Sequence, residues 1–262
     1  MAKPRVLVLT GHGVNCDEET AFAFKTEGGL PKLIHVNDLI EAPREFDDSQ
    51  ILAVPGGFTY GDDTGAGLAL ANKLRNNLWD ELLGFIEHDK LVIGICNGFQ
   101  VLTNLGIVPA LDYEYGRNEV ALTHNDQPRY CDRWVDLQFS GEGPWTCGLG
   151  RMMLPIAHGE GKFYTTTEVL DKIKQRRLVA ARYVEGEICN WLDLEPNPNG
   201  SVDDIAGITN ESGKVLGMMP HPERAIFFTQ LPHWTYLKER SGTVPEEYDG
   251  RKIFRNGVRY FE

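Results

Sequence analysis

The chain has 262 residues, with 26 Lys and Arg against 38 Asp and Glu, giving a formal charge of −12 when the histidines are neutral. That balance argues against a nucleic-acid or anionic-membrane surface, which needs clustered cations, and 42% hydrophobic with 24% charged residues is the mix of a folded globular chain, not a disordered one. No apolar run approaches the ~20 residues of a membrane span, and the N-terminus enters a strand pattern without a cleavage site, so a cytoplasmic location is expected.

Residues 5–10 (RVLVLT) read as a buried strand, 17–27 as a helix and 32–36 as a second strand. A third strand at 51–54 is stopped by Pro55-Gly56-Gly57, and residues 69–88 carry helical periodicity as one helix or as two broken near Asn76-Asn77. The fourth strand, 91–95 (LVIGI), runs directly into Cys96-Asn97-Gly98-Phe99-Gln100, a helix start. Short apolar runs alternating with helical patterns predict an α/β fold with an open, doubly wound, mostly parallel sheet. From Pro109 onward additional short strands are expected at 119–124, 134–139, 154–158 and 178–183, with a helix at 167–176. Strands at 205–209 and 214–219 flank the turn-rich Asn210 to Gly213, and 195–201 reads as a surface loop. One domain over 1–262 is expected, with an extended helical tail over 224–262.

The sharpest local feature is LVIGICNGFQ, which ends an apolar strand on a thiol and begins a helix at once. Ligands bind at the carboxyl ends of strands in doubly wound sheets, and a helix N-terminus favours a thiolate. Gly94 and Gly98 flank Cys96 in the G-x-nucleophile-x-G spacing of a strand-turn-helix elbow. The plainer alternative is a buried structural cysteine. A nucleophilic thiol needs a base and an orienter, and Met219-Pro220-His221-Pro222-Glu223 supplies both. Pro222 pushes His221 into extended backbone, which places His221 and Glu223 on one face; alone, the motif also fits a rigid exposed loop. The pair Gly56-Gly57 and the N–H of Asn97 offer donors for an oxyanion hole.

Other features carry less. GDDTGAG (61–67) follows a loop and lacks a Walker lysine, so it is no phosphate cradle. The histidines and carboxylates show no metal-binding spacing, and no metal is expected. The five cysteines contain no C-x-x-C, so reduced thiols are the default. Cys16 precedes a helix but has no second His-x-Glu pair at hand, so a packed thiol beside an N-cap from Asn15 or Asp17 is expected.

PGGF (55–58), GICNGFQ (94–100), PIAHGEGKF (155–163), NGSVDDIAG (199–207) and MMPHPER (218–224) together resemble the class I (triad) glutamine amidotransferases, with a flavodoxin-like sheet. The wording is most similar to the glutaminase branch of phosphoribosylformylglycinamidine synthase, and the likeness runs from Arg5 to about Arg224. The resemblance implies Cys96 as nucleophile, His221 as acid and base, Glu223 as its orienter, and Gly57 and Asn97 as oxyanion donors. It implies that Gln100 touches the substrate and that His158, Gly159 and Glu160 lie beside its amino-acid end. It further implies L-glutamine as substrate, a separate synthetase subunit as partner, a small bridging subunit, and no cofactor in this chain, with ATP and Mg2+ on the synthetase. Alternatives are the glutaminase of another amidotransferase, a free-standing γ-glutamyl hydrolase, or a non-catalytic scaffolding relative, against which the intact Cys, His and Glu count. Two stretches depart from the compact form of that branch: DTGAG (63–67), and the tail from Ala225, which is similar to the end of the fused form.

Overall fold

The computed structural model describes residues 3–262. Its strands are β1 (Arg5–Thr10), β2 (Leu30–His35), β3 (Ile51–Val54), β4 (Leu91–Ile95), β5 (Val120–Thr123), β6 (Cys131–Phe139), β7 (Arg151–His158), β8 (Lys162–Thr165), β9 (Val179–Tyr183), β10 (Ile205–Thr209) and β11 (Val215–Met218). Helices α1 (Asp17–Thr26), α2 (Val36–Glu41), α3 (Glu45–Asp48), α4 (Leu68–Glu87) and α5 (Asn97–Leu105) connect and follow the first four strands. The later helices are α6 (Gly143–Thr146), α7 (Thr167–Gln175), α8 (Glu187–Leu192), α9 (Trp234–Ser241) and α10 (Arg251–Arg259).

Nine strands form one sheet in the order β2-β1-β3-β4-β11-β10-β9-β6-β7, while β5 and β8 pair separately. The first five in that order are parallel, and the remaining four extend the sheet by antiparallel pairing. With β11 as the fifth member, this parallel half has the 2-1-3-4-5 order of flavodoxin-like sheets, whose ligands bind where the order reverses, beside β1 and β3. β3 and β4 are buried along their whole length because helices cover both faces, which is why they read as unbroken apolar runs. In α4, Leu70, Leu74, Leu78 and Leu82 recur every fourth residue and form the buried stripe.

Several boundaries differ from expectation. β2 stops at His35 because its ring accepts from Asn37 N–H at 3.2 Å and starts α2. α4 carries the expected break beside Asn76-Asn77: Leu78 is non-helical (φ −140°, ψ 21°), a kink that joins two helical segments. The short strands expected at 134–139 and 154–158 are the ends of longer ones, since β6 and β7 pair along eight registered positions. The loop at 195–201 is not merely superficial, because Asn199 and Ser201 are buried and bond to the Gly161–Phe163 backbone.

The tail packs as an integral layer. Phe254 is fully buried and meets Phe24 of α1 edge to face at 4.9 Å. Glu27, with a side chain 6% exposed, accepts from both Arg251 and Arg255. Replacing Phe254 by Ala is expected to destabilise the chain by about 3–5 kcal/mol through the cavity it leaves. A urea unfolding curve checks this, and an unchanged midpoint would show that α10 adds nothing to the core.

Candidate active site

The site lies at the carboxyl ends of β1, β3, β4 and β11. Cys96 sits between β4 and α5 with φ 52° and ψ −108°, a conformation that costs a non-glycine residue energy and that persists where the surroundings enforce it. Its N–H donates to Met218 O of β11 at 2.8 Å, and its side chain is nearly enclosed. The two flanking glycines are sterically required. A Cβ on Gly98 would stand 1.8 Å from Val54 O, and one on Gly94 2.7 Å from Gly98 O. The elbow read from the sequence is therefore present, with α5 pressed against the end of β3.

His221 has the extended backbone that Pro222 imposes, φ −102° and ψ 90°. The extended run then ends, because Pro222–Arg224 forms one 3-10 turn, yet His221 and Glu223 still meet. Nδ1 of His221 lies 2.5 Å from Oε1 of Glu223, and both residues are 2% exposed. Burial opposes a charged imidazole, but the Glu223 carboxylate and the neighbouring Cys96 and Cys16 outweigh it, so the His221 pKa stands well above its ordinary value. Among the described residues its Nε2 has no hydrogen-bond partner. The thiols of Cys96 and Cys16 are the polar groups next to it.

Cys16 corrects the sequence reading. It is itself the N-cap residue of α1, and no side chain caps that helix, so neither Asn15 nor Asp17 plays that part. The thiol is packed, as expected, but not away from chemistry. Cys16 Sγ, a ring nitrogen of His221 and a carboxylate oxygen of Glu223 lie within 4.8 Å of one another. Arg224 Nη2 donates to Cys16 Sγ at 3.1 Å while Arg224 Nε donates to Glu19 at 2.9 Å. Burial pushes the Cys16 thiol pKa up, against the pull of His221 and Arg224. No sequence spacing signals this group, since residues 205 or more positions apart come together through the ends of β1 and β11.

The expected oxyanion donors are available. Among the described residues no backbone carbonyl accepts from Gly57 N–H or Asn97 N–H. The buried Asn97 side chain accepts from Thr59 Oγ1 at 2.8 Å and donates to Gln100 Oε1 at 2.8 Å and to Asp62 Oδ1 at 3.2 Å. Gln100 also donates to Glu160 O at 2.6 Å, so both ends of its amide are engaged and it braces the 158–160 segment. His158 is buried against Asn125 Oδ1 at 3.1 Å, and burial, reinforced by His221, lowers its pKa to about 4. Gly159 O accepts from Asn125 N–H. The Glu160 side chain is 26% exposed and shares its surroundings with Asp62, whose pKa is raised first by burial and further by Glu160. Sequence reasoning missed Asp62 and Thr59, which arrive on the 3-10 turn after β3. It also missed Tyr130 and Phe58, an exposed aromatic pair 6.0 Å apart at the rim. No helix among the described residues is long and apolar enough to cross a membrane.

Two tests follow from this geometry. Gly98→Ala is expected to unfold the elbow or abolish reactivity of Cys96 toward alkylation. Gly159→Ala, whose Cβ meets nothing within 4 Å, is expected to fold with stability within about 1 kcal/mol of the parent. Equal behaviour of the two variants would remove the steric argument. In histidine ring NMR, His158 is expected neutral and His221 charged at pH about 6.5, and Glu223→Gln should discharge His221. The signs differ. His221 stabilises the fold fully below about 6.5 and loses that contribution as pH rises through its elevated folded pKa. His158 contributes above about 6.5 and loses its contribution as pH falls toward about 4. A neutral His221 at pH about 6.5 in the parent chain would refute the charge assignment.

The chain is similar to known proteins over nearly its full length. The profile of the CobB/CobQ-like glutamine amidotransferase domain matches residues 3–261. A phosphoribosylformylglycinamidine synthase subunit PurQ of Methanococcus maripaludis is 42% identical, over 98% of this chain and 97% of its own length. A PurQ subunit of Dehalococcoides mccartyi is 39% identical, over 99% and 98% of the two chains. Among solved structures, one chain of PurLQS from Thermotoga maritima superposes with a TM-score of 0.74 at 29% identity, covering 100% of both chains. On that near-complete match the chain belongs to the CobB/CobQ-like glutamine amidotransferase family.

Proposed function

We propose that this chain is the glutaminase component of phosphoribosylformylglycinamidine synthase, releasing ammonia from L-glutamine for a separate synthetase subunit. The observation that carries the reading is Cys96, held on its elbow beside the buried His221–Glu223 pair, in a chain alike over nearly its full length to PurQ subunits. In this reading the Cys96 thiolate attacks the side-chain carboxamide carbon of glutamine. The C–O π pair moves to oxygen, and the N–H groups of Gly57 and Asn97 take the oxyanion. His221, charged beside Glu223, gives its proton to the departing nitrogen, so the C–N bond breaks as ammonia leaves and a γ-glutamyl thioester remains. Neutral His221 then takes a proton from water, whose oxygen attacks the thioester; the C–S bond breaks, glutamate leaves, its carboxyl proton goes to solvent, and the Cys96 thiolate beside charged His221 is restored.

The same reading gives Gln100 a supporting part, since its amide holds Asn97 and the Glu160 carbonyl in place. Glu160 and Asp62 supply negative charge suited to the α-ammonium of an amino acid, with His158 and Gly159 forming the wall behind them. L-Glutamine needs no cofactor for this hydrolysis, and ATP with Mg2+ belongs to the synthetase. The PurLQS name of the Thermotoga neighbour supports a synthetase subunit and a small third subunit as partners.

Cys96→Ala in the complex with the synthetase is expected to abolish glutamine-dependent amination of formylglycinamide ribonucleotide while ammonia-dependent amination survives. Retained use of glutamine would overturn the reading. Vigorous glutamine hydrolysis by the isolated chain, unaffected by the synthetase, would instead point to a free-standing hydrolase.

A further inference from the structure

The oxyanion loop after β3 is tied to a segment that lies outside the triad. After β1 the chain turns back at Gly11, whose carbonyl accepts from Val14 N–H at 3.1 Å, and residues 12–16 run antiparallel to residues 56–60. Phe58 N–H donates to Gly13 O at 2.7 Å and Tyr60 N–H to His12 O at 3.0 Å, while the N–H groups of Asn15 and Cys16 both donate to Gly56 O at 3.2 Å. Val14 and Gly57 face each other inside this bridge as a pair that exchanges no hydrogen bond. In such a pair the N–H and C=O of each residue point away from the partner. Peptide geometry gives the same direction, since Gly56 O and Gly57 N–H belong to one planar trans unit and point opposite ways. β3 lies between β1 and β4, so a Gly56 carbonyl held on the β1 side turns Gly57 N–H toward the β4 side, where Cys96 and Asn97 follow. The loop is close to both reacting groups. A Cβ on Gly56 would stand 3.5 Å from Cys96 Cβ and 2.8 Å from His221 Cε1.

We propose that the segment from Gly13 to Cys16 is a brace that aims the Gly57 N–H at the oxyanion, with Gly13 as the positioning residue on which the brace closes. Gly13 has φ +85°, and a Cβ there would stand 2.0 Å from Phe58 O and 3.1 Å from Thr59 Cα. From the other side, a Cβ on Gly57 would stand 2.3 Å from Gly13 O. The two glycines let the backbones lie against each other, and a side chain at position 13 forces them apart. Cys16 anchors the far end of the brace. Its carbonyl accepts from Thr20 N–H at 3.0 Å and Thr20 Oγ1 at 2.7 Å, and its buried thiol accepts from Arg224 Nη2 at 3.1 Å. The brace is thereby fixed to α1 and to the turn that carries Glu223, and the oxyanion loop is fixed to the brace. Gly57 N–H acts while negative charge builds on the substrate oxygen, so turning it away removes transition-state stabilisation and leaves ground-state binding in place.

This inference rests on the glutaminase reading. The test uses the full chain in complex with the synthetase and compares Gly13→Ala with Gly28→Ala. Gly28 has φ +95° and nothing within 4 Å of an added Cβ, so it carries the same kind of backbone strain in open space. Gly13→Ala is expected to lower kcat for glutamine hydrolysis about a hundredfold, the loss typical of one oxyanion donor, with KM unchanged within about threefold. Alkylation of Cys96 by iodoacetamide, followed by peptide mapping, forms a C–S bond and expels iodide without an oxyanion, so its rate is expected to stay within about twofold of the parent. Gly28→Ala should leave all three quantities unchanged. Unchanged hydrolysis in Gly13→Ala would overturn the brace, and so would an equal fall in hydrolysis and alkylation, which marks general damage to the site. Should Gly13→Ala fail to fold, amide hydrogen exchange of the parent decides. The Asn15, Cys16 and Phe58 N–H groups are expected to be protected at least about tenfold over Gly57 N–H, and equal protection sinks the brace. A parent complex that hydrolyses no glutamine fails before any variant is compared, and that result overturns the glutaminase reading together with the role given to Gly57.

Discussion

The structure depends on a backbone-to-backbone contact that only glycine permits, the approach of α5 to the end of β3 at Gly98. Val54 O occupies the space where a Cβ would be. That contact seats the first turn of α5 on the sheet and holds Cys96 at φ 52°, a conformation with an intrinsic cost of order 1–3 kcal/mol. The cost is offset by packing. β4 is buried throughout, and Phe99, Val101, Leu102 and Leu105 of α5 are at most 1% exposed. The strain is therefore local, while the support is distributed over the whole parallel half of the sheet.

The second constraint is electrostatic. A buried imidazole loses hydration, which disfavours its charge, and a buried carboxylate suffers likewise. Glu223 stands beside His221 in the same dry place, and its carboxylate outweighs burial, so the imidazole keeps a proton it would otherwise lose there. His158 lies nearby without a carboxylate and is held neutral. Two buried histidines a short distance apart thus differ in charge because one has an acidic partner and the other an amide. That separation suits a site in which a single proton is moved through a single ring.

The parallel half of the fold was legible because fully buried strands are short apolar runs bounded by glycine and proline, and the elbow was legible because its constraint is local: Gly94, Cys96 and Gly98 are two residues apart. The His221–Glu223 pair was readable for the same reason, even though a 3-10 turn follows the extended His221. What escaped was what only tertiary structure assembles. Cys16 carries no motif, and its relation to His221 exists only because β1 and β11 end on the same side of the sheet. The reach of β6 and β7 was underestimated because residues such as Asp132, Arg133 and Arg151 break the apolar alternation. They are tolerated because the antiparallel extension has a face toward solvent. Gln100 reads as a substrate contact in sequence, but only the folded chain shows both ends of its amide occupied.

The C-terminal tail takes its meaning from α1. This helix places Cys16 at its N-cap beside His221, Glu19 against Arg224 in its first turn, and Glu27 at its C-cap between Arg251 and Arg255. Ten residues of helix span about 15 Å with little give, so the rear of the site and the start of α10 are fixed to one ruler. A second tie closes the loop. A Cβ on Gly250, just before α10, would stand 2.5 Å from both Pro222 O and Ala225 O, the turn that carries Glu223. The tail thus grips the turn that carries Glu223 at one point and the helix behind Cys16 at another. Since the position of Glu223 sets the charge of His221, the 225–262 segment supports the site's electrostatics and is more than an appendage added after the last strand.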